Sequence, residues 1–153
     1  GSCSAPKPGS DDAVTLGASA TLTTSASGNV DFDSTIAGGG FDLAVTTGPA
    51  AGNVTFDGNV SGLTNITVAS GGFIDLNGKL TASGNVTFTA ADNITIDGAI
   101  DPANVTLNSS DDVIVNAPVA ANTAITTTTI INSIKVKPRC VRMPLSPVAI
   151  SRC

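Results

Sequence analysis

The stretch "SGNVTFTAADNITIDGAID", residues 83–101, decides the fold. Apolar and polar residues alternate in its two runs "NVTF" and "NITI", and a third apolar point follows at Ile100. Alternation with a period of two is typical of strands that bury one face. The stretch therefore predicts three short strands, each with one face toward a core.

The same pattern recurs on both sides with a nearly fixed period. The segment "LTNITVASGGFIDLNGKLTA" (63–82) precedes it and "PANVTLNSSDDVIVNAPVA" (102–120) follows it, which gives units of 20, 19 and 19 residues. Units of constant length predict a chain that coils and stacks, with each strand parallel to its equivalent one coil away. Thr87 and Thr106 are predicted to face outward. The predicted core residues are Val86, Phe88, Ile94, Ile96, Val105, Leu107, Val113 and Val115.

The phrase "GNVTF" occurs at 52–56 and again at 84–88. We interpret "NV" as the beginning of each coil, where Asn tolerates a tight turn and can bond to its equivalent in the next coil. The Gly before it, as in Gly28, Gly52 and Gly84, is expected to supply positive φ at the same corner. Two ladders of equivalent side chains are predicted: Asn65, Asn85 and Asn104, and beside them Thr67, Thr87 and Thr106.

The pattern is looser outside the central units. Residues 27–50 predict a longer coil with a loop near Gly38–Gly40, and 11–26 predict a first, incomplete coil. Residues 122–134 keep a strand signature but lose the register, as terminal repeats often do. The fold predicted is all-β: a right-handed parallel β-helix, or β-solenoid, of about five to six coils with a non-repetitive basic C-terminal tail.

Three regions are predicted on this basis. They are an N-terminal extension (1–10), the β-solenoid domain (11–134) and a basic tail that contains Cys and Pro (135–153).

The repeat phrases also resemble a known group of proteins. "DAVTLGASATLTTS", "GNVTFDGNVSGLTNITVASGGFIDLNG" and "SGNVTFTAADNITI" look like the repeats of large bacterial surface proteins of the filamentous haemagglutinin and β-strand-repeat adhesin type. The resemblance covers about residues 11–134. It implies a right-handed parallel β-helix that is secreted to the bacterial cell surface and serves adhesion, biofilm or filament formation.

Composition argues against an enzyme. The chain contains no His, Trp, Tyr or Glu, and charged residues make up only 12% of it. Carboxylate pairs such as Asp31 with Asp33, or Asp92 with Asp111, lack the basic partners and proton carriers that polysaccharide cleavage requires. No catalytic residue, metal site or cofactor is predicted, and outward Asp residues are expected to be solvated.

Two binding functions remain as alternatives. An ice-binding β-helix needs ladders of Thr, but only the column of Thr67, Thr87 and Thr106 is expected to persist across three coils. The second outer column is read as Asp75, Thr95 and Ile114. An ice- or carbohydrate-binding module is therefore the alternative function, and a polysaccharide-active enzyme comes after it.

The C-terminal tail differs in charge from the rest. Residues 1–134 hold twelve Asp and two Lys, whereas the tail holds five basic residues and no acid. We expect the tail either to cap the last coil or link to other sequence, or to dock on the acidic body of a neighbouring copy. The predicted docking residues are Lys135, Lys137, Arg139, Arg142 and Arg152 on one side and Asp11 and Asp12 on the other.

Three cysteines leave one over after any intrachain pair. Cys140 and Cys153 could close a small loop and leave Cys3 free. Alternatively, Cys3 meets Cys140 or Cys153 of the next copy and ties a head-to-tail contact covalently.

The function predicted is an extracellular structural protein, either an adhesin segment or a filament-forming subunit that assembles end to end. Its expected partners are copies of itself or other surface components. No nucleic-acid partner and no membrane span are predicted.

Overall fold

The computed structural model describes residues 12–117 and, as backbone only, the strands at 124–129 and 134–136. Within these residues the chain forms strands and turns and contains no helix. Accordingly, none of the described segments is a helix of the length and apolarity that crossing a bilayer requires.

The strands are short and recur in a fixed order around each coil. In chain order they are β1 (Val14–Thr15), β2 (Ala20–Thr23), β3 (Val30–Phe32), β4 (Ile36–Ala37), β5 (Leu43–Thr46), β6 (Val54–Phe56), β7 (Val60–Leu63), β8 (Ile66–Ser70), β9 (Ile74–Leu76), β10 (Leu80–Ala82), β11 (Asn85–Ala90), β12 (Ile94–Ile96), β13 (Ile100–Asp101), β14 (Asn104–Ser109), β15 (Val113–Val115), β16 (Ala124–Thr129) and β17 (Ile134–Val136).

These strands form three parallel sheets, and each complete coil contributes one strand to each sheet. Sheet A contains β1, β4, β7, β10 and β13; sheet B contains β2, β5, β8, β11, β14 and β16; sheet C contains β3, β6, β9, β12, β15 and β17. The described chain thus makes five complete coils and two strands of a sixth. The predicted parallel β-solenoid of five to six coils is confirmed.

The core is a column of aliphatic side chains with a short aromatic stack. Of the eight predicted core residues, seven are buried and Val115 is half-buried against them. The rings of Phe32 and Phe56 stack with their centroids 5.0 Å apart, and Phe56 and Phe88 stack across the core at 6.3 Å. The predicted inward and outward faces of the central strands are therefore correct.

The expectation that "NV" always begins a coil is wrong. Val54 lies in sheet C, in register with Ile74, whereas Val86 lies in sheet B, in register with Ile66. The same phrase "GNVTF" therefore serves two different corners, and Asn59 opens a strand of sheet A as well. The reason is that every corner needs the same pair of residues: a polar one that bonds to the next coil and an apolar one that enters the core.

The glycines before these strands serve a purpose different from the one predicted. Neither Gly52 nor Gly84 has a positive φ, which among the described glycines occurs at positions 39, 40 and 62. A Cβ on Gly84 would lie 2.5 Å from Oδ1 of Asn65, and one on Gly52 would lie 2.7 Å from the carbonyl oxygen of Gly28. These positions need glycine because adjacent coils approach too closely for a side chain.

The upstream coils are longer because their corners are longer. Five residues (38–42) connect β4 to β5, whereas two (83–84) connect β10 to β11. The loop predicted near Gly38–Gly40 is present, and Gly39 and Gly40 turn the chain there with φ of 60° and 84°. Residues 11–26 hold only β1 and β2, as expected for an incomplete coil, but β3 in the following segment completes the first coil.

Candidate functional site

A polar ladder runs along the corner between sheets A and B. Oδ1 of Asn65 accepts a hydrogen bond from the backbone N–H of Asn85 at 2.9 Å, and Nδ2 of Asn104 donates to Oδ1 of Asn85 at 3.0 Å. Asp42 extends this ladder, because its Oδ1 accepts from both the N–H and the Nδ2 of Asn65. Side chains in successive coils thus satisfy backbone donors that the turns leave unpaired.

The other two corners use the same bond. Oδ1 of Asn53 accepts from the N–H of Phe73 at 3.1 Å ahead of sheet C, and Oδ1 of Asn59 accepts from the N–H of Lys79 at 2.8 Å ahead of sheet A. The recurring Asn is therefore a structural element of each corner.

A second set of polar groups, which the sequence reasoning missed, lies inside the corner between sheets B and C. Thr47, Ser70 and Ser109 are buried. Oγ1 of Thr47 donates to the carbonyl oxygen of Gly52 at 2.7 Å and accepts from the N–H of Gly71 at 2.9 Å. Oγ of Ser70 is within 2.7 Å of the same Gly52 oxygen. A Ser or Thr at or just after the end of β5, β8 and β14 is the signal that could have revealed this column, which β11 interrupts with Ala90.

Acidic residues gather on the outer side of sheet C and at the corner between sheets C and A. Asp57 and Asp97 accept hydrogen bonds from Nδ2 of Asn77 at 2.8 Å and of Asn116 at 2.7 Å, respectively. Beside them lies Asp75, paired in register with Thr55 and Thr95. Alternation of Asp and Asn along the column lets each amide bridge to a carboxylate and limits repulsion between like charges.

The pKa of the Asp75 carboxyl is raised above its usual value. Burial raises the pKa, nearby Asp97 and then Asp57 raise it further, and a hydrogen bond from the Asn77 side chain lowers it. Its Oδ1 is closed off from solvent and has no hydrogen-bond partner. Within residues 12–117, however, no three acidic, Cys or His side chains are placed to share a metal ion.

The two carboxylate pairs named as possible catalytic groups are exposed on the surface. Asp31 projects from β3 in register with Thr55, and Asp33 follows at the next corner. Asp92 and Asp111 both lie at the turn into sheet C, in adjacent coils. A depression near the bulge between β7 and β10 is lined by Gly40, Gly62, Leu63, Thr81, Ala82 and Ser83, none of which is ionisable. The lining of this depression therefore offers shape and hydrogen bonding.

Within residues 12–117, the first coil covers its core side chains less completely than the second coil does. Val14 is 38% exposed, although Ile36, its register partner in the second coil, is 1% exposed. Leu22 and Phe32 are likewise half-buried, whereas the next residue along the sheet C column, Phe56, is fully buried. The first coil thus presents side chains that a further coil would cover.

Most residues predicted for tail docking and disulfide formation lie outside the described part of the chain. These are Cys3, Cys140, Cys153, Asp11, Lys137, Arg139, Arg142 and Arg152. Asp12 is exposed at the N-terminal end, and the backbone of Lys135 pairs with Ile114 in sheet C. Tail docking and the disulfides therefore stay predictions.

The predicted Thr ladder lies on sheet B. Thr67, Thr87 and Thr106 occupy equivalent register positions in three consecutive coils and point away from the core. Together with the parallel sheets and corner ladders, this arrangement defines the class of the protein as a β-solenoid. Scans of protein-family models and searches of curated proteins and solved structures find no match for the chain.

Proposed function

We propose that this chain is the rod of an extracellular structural protein, an adhesin segment or filament subunit, and that its N-terminal coil receives a coil of a second copy. The observation that carries the proposal is the less completely covered core at β1–β3, where Val14 is 38% exposed. The resemblance of the repeats to filamentous haemagglutinin-type proteins supports the location at a bacterial cell surface.

The end of the stack favours a solenoid coil as its occupant. A parallel strand at the edge of a sheet offers a row of backbone groups to another strand of the same direction. Among the described strands, β1, β2 and β3 each lie at the edge of their sheet. Because all three edges belong to one coil, a second solenoid can pair with them together and cover the half-buried Leu22 and Phe32.

The polarity of the sheets sets the geometry of assembly. All described pairings are parallel, so the two ends of the rod differ. Contacts between unlike ends are heterologous and generate open filaments when the rotation does not close. End-to-end association of this chain should therefore produce rods of variable length.

Two adjacent residues of β1 provide a matched test. Val14 pairs with buried Ile36 and so occupies an inward position, whereas Thr15 pairs with exposed Ala37 and occupies an outward one. Light scattering and negative-stain microscopy should show concentration-dependent rods for the natural chain and for Thr15→Lys. Val14→Lys should remain monomeric with an unchanged circular dichroism spectrum, because a charge there blocks the apolar contact.

Two outcomes would contradict end-to-end assembly: a natural chain that stays monomeric at every concentration, or equal association of both Lys variants. Non-reducing electrophoresis of the rods then tests the intermolecular cysteine contact through a ladder of multimers that collapses on reduction. Antibodies against the rod that label intact source cells would support the proposed location, and labelling only after permeabilisation would refute it.

A further inference from the structure

The outer face of sheet B carries two adjacent columns of residues in which Thr predominates and which Ala44, Ala69 and Asn108 interrupt. We call it the Thr face; its described members are Thr21, Ala44, Thr67, Thr87 and Thr106 in the first column and Thr23, Thr46, Ala69, Thr89 and Asn108 in the second. The column of Asp75, Thr95 and Ile114, taken from sequence as the second one, belongs to sheet C. The expectation that only one column holds Thr in three consecutive coils is nevertheless confirmed, because the second column of sheet B has Ala69 in the third coil and Asn108 in the fifth.

The hydroxyl groups of the Thr face have no partner within the described chain. Elsewhere Thr24, Thr47 and Thr64 donate to backbone carbonyl oxygens at 2.7–2.8 Å. None of the Thr side chains in the two columns makes such a bond to a described residue, and all are exposed or half-buried. Because β-branched side chains are stiff at χ1, the face presents an ordered array of methyl and hydroxyl groups to the solvent.

The array is regular in both directions. Neighbouring strands lie about 4.8 Å apart, and alternate residues of one parallel strand lie about 6.6 Å apart. Sheet B pairs without a register shift along its described strands, whereas sheet A has one between β7 and β10.

We propose that the Thr face binds the surface of ice. A rigid, regular and uncharged array suits a crystalline partner of comparable repeat. Both surfaces are already ordered before they meet, so binding carries little cost in conformational entropy. Liquid water has no fixed lattice that could match a regular array. A charged ligand would meet no residue of opposite charge in either column. Asp42 lies in the corner ladder beside the face. An aromatic platform for sugar rings is also missing from both columns, which favours ice over a polysaccharide.

The proposal is independent of end-to-end assembly, because the face runs along the side of the rod. The backbone of β16 continues the register and places Thr126 next to Thr106. Stacked copies would lengthen the columns, but a single copy already carries five coils of the face.

Coil four offers a matched pair of variants. Thr87 and Thr95 are both half-buried outward residues, the first on sheet B and the second on sheet C. Thr87→Tyr places a large ring in the middle of the Thr face and should abolish ice shaping and thermal hysteresis. Thr95→Tyr should retain both, and the two variants should have similar circular dichroism spectra and melting temperatures.

The probe is ice itself, measured by the freezing-point hysteresis of a seeded crystal and by inhibition of recrystallisation. The proposal is overturned if the natural chain does no more than an equal mass of an inert protein, or if Thr87→Tyr and Thr95→Tyr act alike. Retention on crystalline chitin without any effect on ice would also overturn it and assign the face to a polysaccharide.

Discussion

Truncation of Phe88 should be among the most costly single changes in the rod. The side chain is fully buried, and its ring stacks on that of Phe56. Phe-to-Ala changes in protein cores cost about 3–5 kcal/mol. Because β11 is held on both sides by β8 and β14, the surrounding coils cannot collapse into the cavity. We therefore expect Phe88→Ala to lower the free energy of unfolding by about 4 kcal/mol.

Phe73 supplies the matched control, since it is 38% exposed at a corner. Phe73→Ala should change the free energy of unfolding by less than about 1 kcal/mol, as most surface changes do. Phe88→Leu should recover most of the loss, because Leu107 occupies the equivalent position in the next coil. Urea unfolding followed by far-ultraviolet circular dichroism measures all three variants. Equal losses for Phe88→Ala and Phe73→Ala would refute the assigned core.

Three further changes test register, coil spacing and charge. Val105→Asp should unfold the neighbouring coils because an unpaired buried carboxylate costs several kcal/mol. Thr106→Asp, on the opposite face of β14, should barely change the midpoint of urea unfolding. Equal tolerance of the two changes would overturn the assigned register. Gly98→Ala should lower the melting temperature because its Cβ would collide with a carbonyl of the adjacent coil. Gly17→Ala should not, because the space around Gly17 is open. Indistinguishable melting curves for the two variants would contradict the close approach of the coils at Gly98. Asp75→Asn should stabilise the rod at neutral pH. The raised pKa means that the ionised carboxyl destabilises the fold above its folded pKa, and this penalty fades as the pH falls toward the unfolded value of about 3.9. A gain in unfolding free energy that is the same at neutral and acidic pH would refute that assignment.

The strands could be predicted from sequence because burial alternates along the sheet B and sheet C strands of the central coils. Each of the runs "VTF" and "ITI" has its two apolar residues in the core and its Thr outside. A spacing of 19 or 20 residues then leaves one way to stack the coils in register. Local pattern and coil length together therefore determine the fold.

The sequence could not show which sheets each corner connects, because all three corners require the same residue types. Asn53, Asn59 and Asn65 each bond to the next coil, although each precedes a different sheet. The phrase "GNVTF" thus does not indicate to which sheet its strand belongs. The same ambiguity concealed the second column of the Thr face, because Thr89 and Thr95 look equivalent until the chain is divided into sheets B and C.

The sequence also could not show why glycine is required before the sheet B and sheet C strands. A glycine in a turn suggests positive φ, yet Gly52 and Gly84 are required by contact with the coil beside them. That contact joins residues about 20 positions apart and leaves no local signature. Likewise, the buried hydroxyl of Ser70 is recognised only when the carbonyl oxygen it faces, from Gly52 in the preceding coil, is known.

The direction of the backbone ladders has a mechanical consequence. Hydrogen bonds between coils run along the axis of the rod, so tension along that axis loads all ladders of an interface together. Between the fourth and fifth coils these ladders pair six residues in sheet B, three in sheet C and two in sheet A. When one interface yields, a coil of about 20 residues unwinds and releases roughly 65 Å of slack, at about 3.4 Å per residue. The rod should therefore be a stiff spacer under small loads and lengthen in coil-sized steps under large ones, absorbing the shock that would otherwise reach its attachment points.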